Sequence, residues 1–283
     1  MSSDRIELKA GDWQVEICPR LGGNITRLSH KEQDVLRPLE SEEQLERSPY
    51  TYGAPILMPA NRTKGACFLF DGRTYALPLN EPQNGCNLHG SLLHAAFTLV
   101  DRNEASAVLR LLDKDGRYYP FPFLLTLTYV LKKEGLTATY DIENIGQGDM
   151  PLTFALHTTF IEPSSFSVPI DLCLEKDLHH IPTGRYVPLN EAEKAYATGS
   201  PSKGRTISGY YHACGQTVYV GNYVYTVSGG FDHWILFNGR GNSGYLCIEP
   251  QMGKVNGLNM KDGHRRLESG AHILLTTHIF QDI

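Results

Sequence analysis

Along most of this chain, apolar and polar residues alternate with a period of two. Trp13 to Ile17 (WQVEI), Ser106 to Leu112 (SAVLRLL), Leu136 to Ile142 (LTATYDI), Thr217 to Val227 and Ala271 to Phe280 all show it, and convincing helical periodicity is nearly absent. Successive side chains of a strand face opposite ways, so this pattern prescribes strands with one face in a core and the other outside it. Cys67 to Leu77 (CFLFDGRTYAL) reads as a hairpin in which Asp71-Gly72 supplies the positive-φ turn that twisted strands prefer. A second hairpin is expected from Phe123 to Leu131 (FLLTLTYVL) through Lys132 to Gly135 into LTATYDIEN, so adjacent strands should be largely antiparallel. Only Ser41 to Gln44, with capping-box spacing, and Asn190 to Tyr196 invite short helices. No linker, composition break or fixed-period repeat divides the 283 residues, a length sufficient to bury a sizeable core. The expectation is an all-β chain folding as one domain over residues 1–283, a large antiparallel β-sandwich of two packed, twisted sheets.

Composition narrows the function classes. The chain is 41% hydrophobic and 20% charged, as in a soluble globular protein, and its 27 glycines and 16 prolines favour turns. A net charge of −5 with no basic tract gives no attraction to a phosphate backbone or an anionic lipid surface. Nucleic acid and membrane are therefore not expected as partners. The segment MSSDRIELKAGDW lacks the pattern of a signal peptide and no apolar run approaches the ~20 residues of a membrane span, so a cytoplasmic location is expected. The six cysteines, without a C-x-x-C pair, read as buried thiols rather than disulfides or zinc ligands. Motifs of zinc hydrolases, Walker-type and dinucleotide-binding loops and serine hydrolases are absent, and no cofactor or metal is implied.

Polar groups interrupt several apolar strands. In Tyr245-Leu-Cys-Ile-Glu-Pro250, Tyr245, Cys247 and Glu249 share one face. Glu249 is either a strand-end glutamate turned into solvent or a carboxylate drawn from water, whose raised pKa would suit a proton acceptor near neutrality. In Leu152 to Phe160, His157 shares its face with the small residues Thr153, Ala155 and Thr159, which leave room for a ligand, although a structural histidine would look the same. Asn84-Gly-Cys-Asn-Leu-His-Gly90 and Ala60-Asn-Arg-Thr-Lys-Gly65 are loop-like and offer the polar side chains that a hydroxyl-rich ligand needs, as ordinary surface turns also do. Asp232 stands at the mouth of another apolar strand, on the face of Trp234, where it is equally an ordinary strand-start residue.

Taken in order, Ala60-Asn-Arg62, Asn84 to Gly90, Ala155-Leu-His-Thr-Thr-Phe160, Gly230-Phe-Asp-His233 and Cys247-Ile-Glu-Pro250 resemble the aldose 1-epimerase, or galactose mutarotase-like, family. The resemblance runs from about Glu7 to the closing strand and implies a β-supersandwich that interconverts the α and β anomers of an aldose without a cofactor. It implies Glu249 as the general base on the C1 hydroxyl and His157 as the general acid on the ring oxygen. It further implies Arg62 and His89 on sugar oxygens, Asn61 in support and Asp232 as an acceptor from ring hydroxyls. Two segments depart from the family pattern: H-P-Y-F-N becomes His157-Thr-Thr-Phe160, and P-D-A-x-N after the glutamate becomes Lys254-Val-Asn-Gly-Leu-Asn259. A sugar substrate is the expected partner, with oligomeric state unread. The alternatives are a hexose 6-phosphate, with Lys64, Lys254, Lys261 or Arg265-Arg266 available for the phosphate, and a non-catalytic carbohydrate-binding protein on the same fold.

Overall fold

The computed structural model describes residues 5–282. Two eight-stranded sheets dominate it. The first runs Thr98–Arg102, Ser106–Asp113, Phe123–Lys132, Gly135–Asn144, His272–Gln281, Tyr223–Val227, Thr217–Val220 and Phe166–Ser167. The second runs Pro182–Pro188, Ile170–Lys176, Ser208–Ala213, His233–Phe237, Tyr245–Met252, Phe154–Leu156 and Ile56–Leu57, with Thr159–Ile161 pairing beside Phe154–Leu156 on Tyr245–Met252. A four-stranded sheet from Ile6–Ala10 to Gln33–Asp34 joins them near the N-terminus. The ladders that build both large sheets are antiparallel, as the alternation predicts. Among the described residues, no helix is long and apolar enough to cross a membrane.

The period-two pattern is realised residue by residue. In Phe123–Lys132, Phe123, Leu125, Leu127, Tyr129 and Leu131 are buried while the residues between them are half-exposed. The same core takes Tyr140 and Ile142 from the next strand and Leu246, Ile248 and Met252 from the second sheet. The strand Tyr245–Met252 is buried on both faces, one turned to this core and the other lying under the loops beside a cavity that Glu249 lines. Asp71 and Gly72 both take positive φ and close the expected hairpin between Cys67–Phe70 and Arg73–Ala76.

The two helices form where expected, with one difference in capping. Asn190 caps Glu191–Thr198 through a complete capping box with Glu193. Glu43–Arg47 is not capped by the side chain of Ser41; the Gln44 side-chain oxygen instead accepts the backbone N–H groups of Glu40 and Ser41. The cysteines are all free, but only Cys18, Cys86 and Cys247 are buried as anticipated; Cys67 and Cys173 are half-buried, and Cys214 is exposed at a strand end.

Candidate active site

The register of the second sheet brings His157 and Glu249 together. Ala155 pairs with Gln251 and Thr159 pairs with Cys247, so His157, midway between Ala155 and Thr159, falls opposite Glu249. Thr158 turns the other way and bonds Tyr225 of the facing sheet at 3.0 Å, which leaves His157 on the outer side. Ile235 and then Tyr210 continue the row across the next two strands. One face of the sheet thus presents His157, Glu249, Ile235 and Tyr210 in line beneath a cavity of about 230 Å³. That is below the ~300–1,000 Å³ of a drug-sized site and suits a small ligand.

Loops supply the rest of the wall. Asn61 and His89 both adopt left-handed backbone, and the His89 N–H donates to the Asn61 carbonyl at 2.9 Å, so the two loop tips are tied where they meet the cavity. Between them, Arg62–Lys64 pairs with Cys86–Leu88. Asn61, Arg62, His89, His157 and Glu249 all line the cavity.

Asp232, expected beside them as a hydroxyl acceptor, does not line it. The strand begins at His233, and the Asp232 carboxylate just ahead of it accepts from His233 Nδ1 at 2.7 Å, from the Gly253 N–H at 2.9 Å and from Arg265 at 3.3 Å. Burial pushes its pKa up, but these partners outweigh that and hold it below its usual value. Oδ1 is thus held by the scaffold, while Oδ2 meets only Arg265 among the described residues. Trp234 is fully buried in the core and donates to the Gly215 carbonyl, so it offers no sugar platform.

Three residues that sequence reasoning did not single out shape the site. Glu81 grips Arg62 with both carboxylate oxygens, each at 2.8 Å, and the remaining Arg62 nitrogen donates to Tyr210 Oη at 3.0 Å. Tyr210 in turn donates to the His180 carbonyl, carrying the network to the cavity rim. Tyr50 packs its ring 4.5 Å from that of His89 and 6.2 Å from that of His157. The segment after Glu249 that departs from the family pattern braces this wall, because Asn256 donates its N–H to the Arg62 carbonyl and accepts the Lys64 N–H on its side chain.

The two central ionisable groups are almost wholly buried. His157 Nε2 and Glu249 Oε1 stand 3.4 Å apart with side chains 7% and 2% exposed. Burial lowers the His157 pKa to about 4 and raises that of Glu249 well above the carboxylate range, the Arg62 charge offsetting part of the latter. Burial, with lesser electrostatic contributions from His157 and Arg62, also lowers the His89 pKa well below the ordinary histidine value. His89 Nδ1, His157 Nδ1 and Glu249 Oε2 have no hydrogen-bond partner among the described residues. Buried polar atoms are rarely left so, and these three around one cavity are groups that water or a polar ligand can satisfy.

The chain is similar to known proteins in sequence and in fold. The family model described as Aldose 1-epimerase matches residues 4–237 and ends before the strand that carries Glu249. The chain is 25% identical over 190 residues to the uncharacterized protein YihR of Escherichia coli K12, covering 64% of this chain and 60% of that protein. It is 27% identical over 208 residues to the galactose mutarotase of Sus scrofa, covering 66% and 58%. The chain thus spans about three-fifths of the length of these curated relatives. A crystal structure of a galactose mutarotase-like protein from Clostridium acetobutylicum superposes with a TM-score of 0.89 at 23% identity, over 99% of this chain and 95% of that one, which establishes the shared fold.

Proposed function

The chain belongs to the aldose 1-epimerase family, and from that premise we propose that it interconverts the α and β anomers of a free aldose, with Glu249 as base and His157 as acid. The observation that supports this most is the buried pair itself, facing across 3.4 Å at the floor of a small cavity, with Glu249 Oε2 unpartnered. An acid and a base that share one proton are what a reversible ring opening requires.

With a closed sugar bound, Glu249 is a carboxylate and His157 an imidazolium. Glu249 takes the proton of the C1 hydroxyl, the C1 to ring-oxygen bond breaks, and His157 gives its proton to the ring oxygen. The open aldehyde then sits beside a neutral pair. Rotation about the C1–C2 bond and reversal of both transfers close the ring on either face. The pKa directions fit this sequence, because desolvation favours the neutral pair that accompanies the open chain. Loading the charged pair is helped by a mutual attraction of about 5 kcal/mol at an effective dielectric of about 20. A sugar hydroxyl donating to Glu249 Oε2 stabilises the carboxylate further.

Arg62, held flat by Glu81, and His89 bind ring hydroxyls, with Asn61 fixing the loop between them. The free sugar is preferred to a hexose 6-phosphate on the placement of cations. Lys64, Lys254, Lys261, Arg265 and Arg266 do not line the cavity. Arg265 is paired with Asp232, and Arg266 with Asp71 and Asp149. Exchange NMR on equilibrated glucose, galactose and their 6-phosphates tests the reading. Faster anomer exchange of a free sugar is expected. Acceleration confined to phosphorylated sugars would move the substrate, and affinity without acceleration would replace the enzyme by a binding protein.

A further inference from the structure

Cys247 stands two residues before Glu249 on the same face of the strand Tyr245–Met252 and takes no part in the proton transfers of ring opening. It is fully buried, and its Sγ is 3.4 Å from Thr159 Oγ1, which itself donates to the His157 carbonyl. One ligand atom each from His157, Cys247 and Glu249 lies within 4.8 Å of the other two. Imidazole, thiol and carboxylate are the donors of zinc sites, and two such donors bound at ~2.0–2.1 Å and related by a tetrahedral angle are ~3.4 Å apart. His157 Nε2 and Glu249 Oε1 already have that separation. The sulfur reaches the third position by closing roughly an ångström, within the swing of a cysteine side chain. Glu249 Oε2, unpartnered in a side chain 2% exposed, is free to accept a sugar hydroxyl in one state and to serve a cation in another.

We infer that His157, Cys247 and Glu249 form a binding site for a zinc-class divalent cation, whose fourth position faces the cavity, and that its occupancy blocks sugar turnover. The mixed nitrogen, sulfur and oxygen donor set selects zinc over magnesium or calcium, which prefer oxygen alone. On binding, the thiol proton and the proton shared by His157 and Glu249 leave to solvent, and Thr159, 3.4 Å from the sulfur, can turn its one hydroxyl proton from the His157 carbonyl to the resulting thiolate, the kind of supporting bond such ligands commonly have. A cation there takes the lone pairs that the acid–base pair needs, so it competes with the chemistry. The inhibitory consequence rests on the epimerase reading; the binding does not.

Cobalt(II) used as a probe for zinc separates the two. One equivalent added to the metal-free protein is expected to give the near-ultraviolet charge-transfer band of a cobalt–thiolate bond. Cys247→Ser and Cys247→Ala should abolish the band, while Cys214→Ser keeps it. In the anomer-exchange assay, both Cys247 variants should turn over within about twofold of the native rate without metal and need at least tenfold more zinc for half-inhibition. A missing band, or one that survives both Cys247 substitutions, overturns the site, and unchanged zinc sensitivity in both overturns the blocking role. If no sugar is turned over by the native protein, the band and its loss still decide the site.

Discussion

The aim of Arg62 is set by a residue it never meets in sequence. Glu81 holds two of its nitrogens and Tyr210 a third, so the guanidinium is fixed before any sugar arrives. Glu81→Gln keeps the shape and removes the charge that opposes Arg62. The expected result is a KM raised about tenfold with kcat changed less than about threefold, because the loss falls on binding; an unchanged KM would remove Arg62 from the sugar. His157 gives a separate prediction about stability. Burial lowers its pKa to about 4 in the folded chain, against 6.5 for the free side chain. Between those values the unfolded chain binds a proton that the folded one does not, so this contribution is complete above the ordinary histidine range and is lost as pH falls toward about 4. The loss is on the order of 3 kcal/mol. Denaturation of His157→Asn over the same range should show a shallower acid slope; equal slopes would mean that His157 is not buried neutral. At this scale, alternation marks His157 and Glu249 because both lie on strands, while Glu81 and Tyr50 come from loops and nothing in their own segments announces a partner.

Elements decide whether the loop residues reach the cavity. His89 and Gly90 both take left-handed backbone, and a Cβ at Gly90 would stand 2.1 Å from the Met58 carbonyl oxygen. Gly90→Ala must therefore shift the loop that carries His89. We expect a destabilisation above about 2 kcal/mol in urea unfolding, together with weakened sugar binding; a neutral change would show that the loop relaxes freely. Elements were also the most legible level. Hairpin turns, the helix beginning at Asn190 and the strand faces follow from local chemistry that acts over a few residues. At Ser41 only half of the capping box forms, Gln44 accepting the Ser41 N–H while its own N–H donates to the Ser41 carbonyl rather than to the side chain, and Asp232 stands one residue ahead of its strand, outside the residues that line the cavity.

The whole molecule ties these parts into one object. A single apolar cluster takes residues from Ile6 and Trp13 through Tyr140 and Ile248 to Ile279, drawn from both large sheets and the N-terminal one. We expect the chain to unfold as one domain, with coincident near- and far-ultraviolet transitions; two separated transitions would contradict it. Register across the second sheet is the property no local pattern encodes, since pairing of Thr159 with Cys247 joins segments far apart in the chain. That register is why His157 and Glu249 meet, and the proposed chemistry requires them to act together. Polarimetry of freshly dissolved α-glucose and α-galactose with the native protein, Glu249→Gln, His157→Asn and the double variant puts this to the proof. Each single change should cut the catalysed rate at least about 10²-fold, and the double should cost little more than the worse single, as for groups that act as a unit. Native-like rates in either single variant would mean that the pair does not carry the reaction.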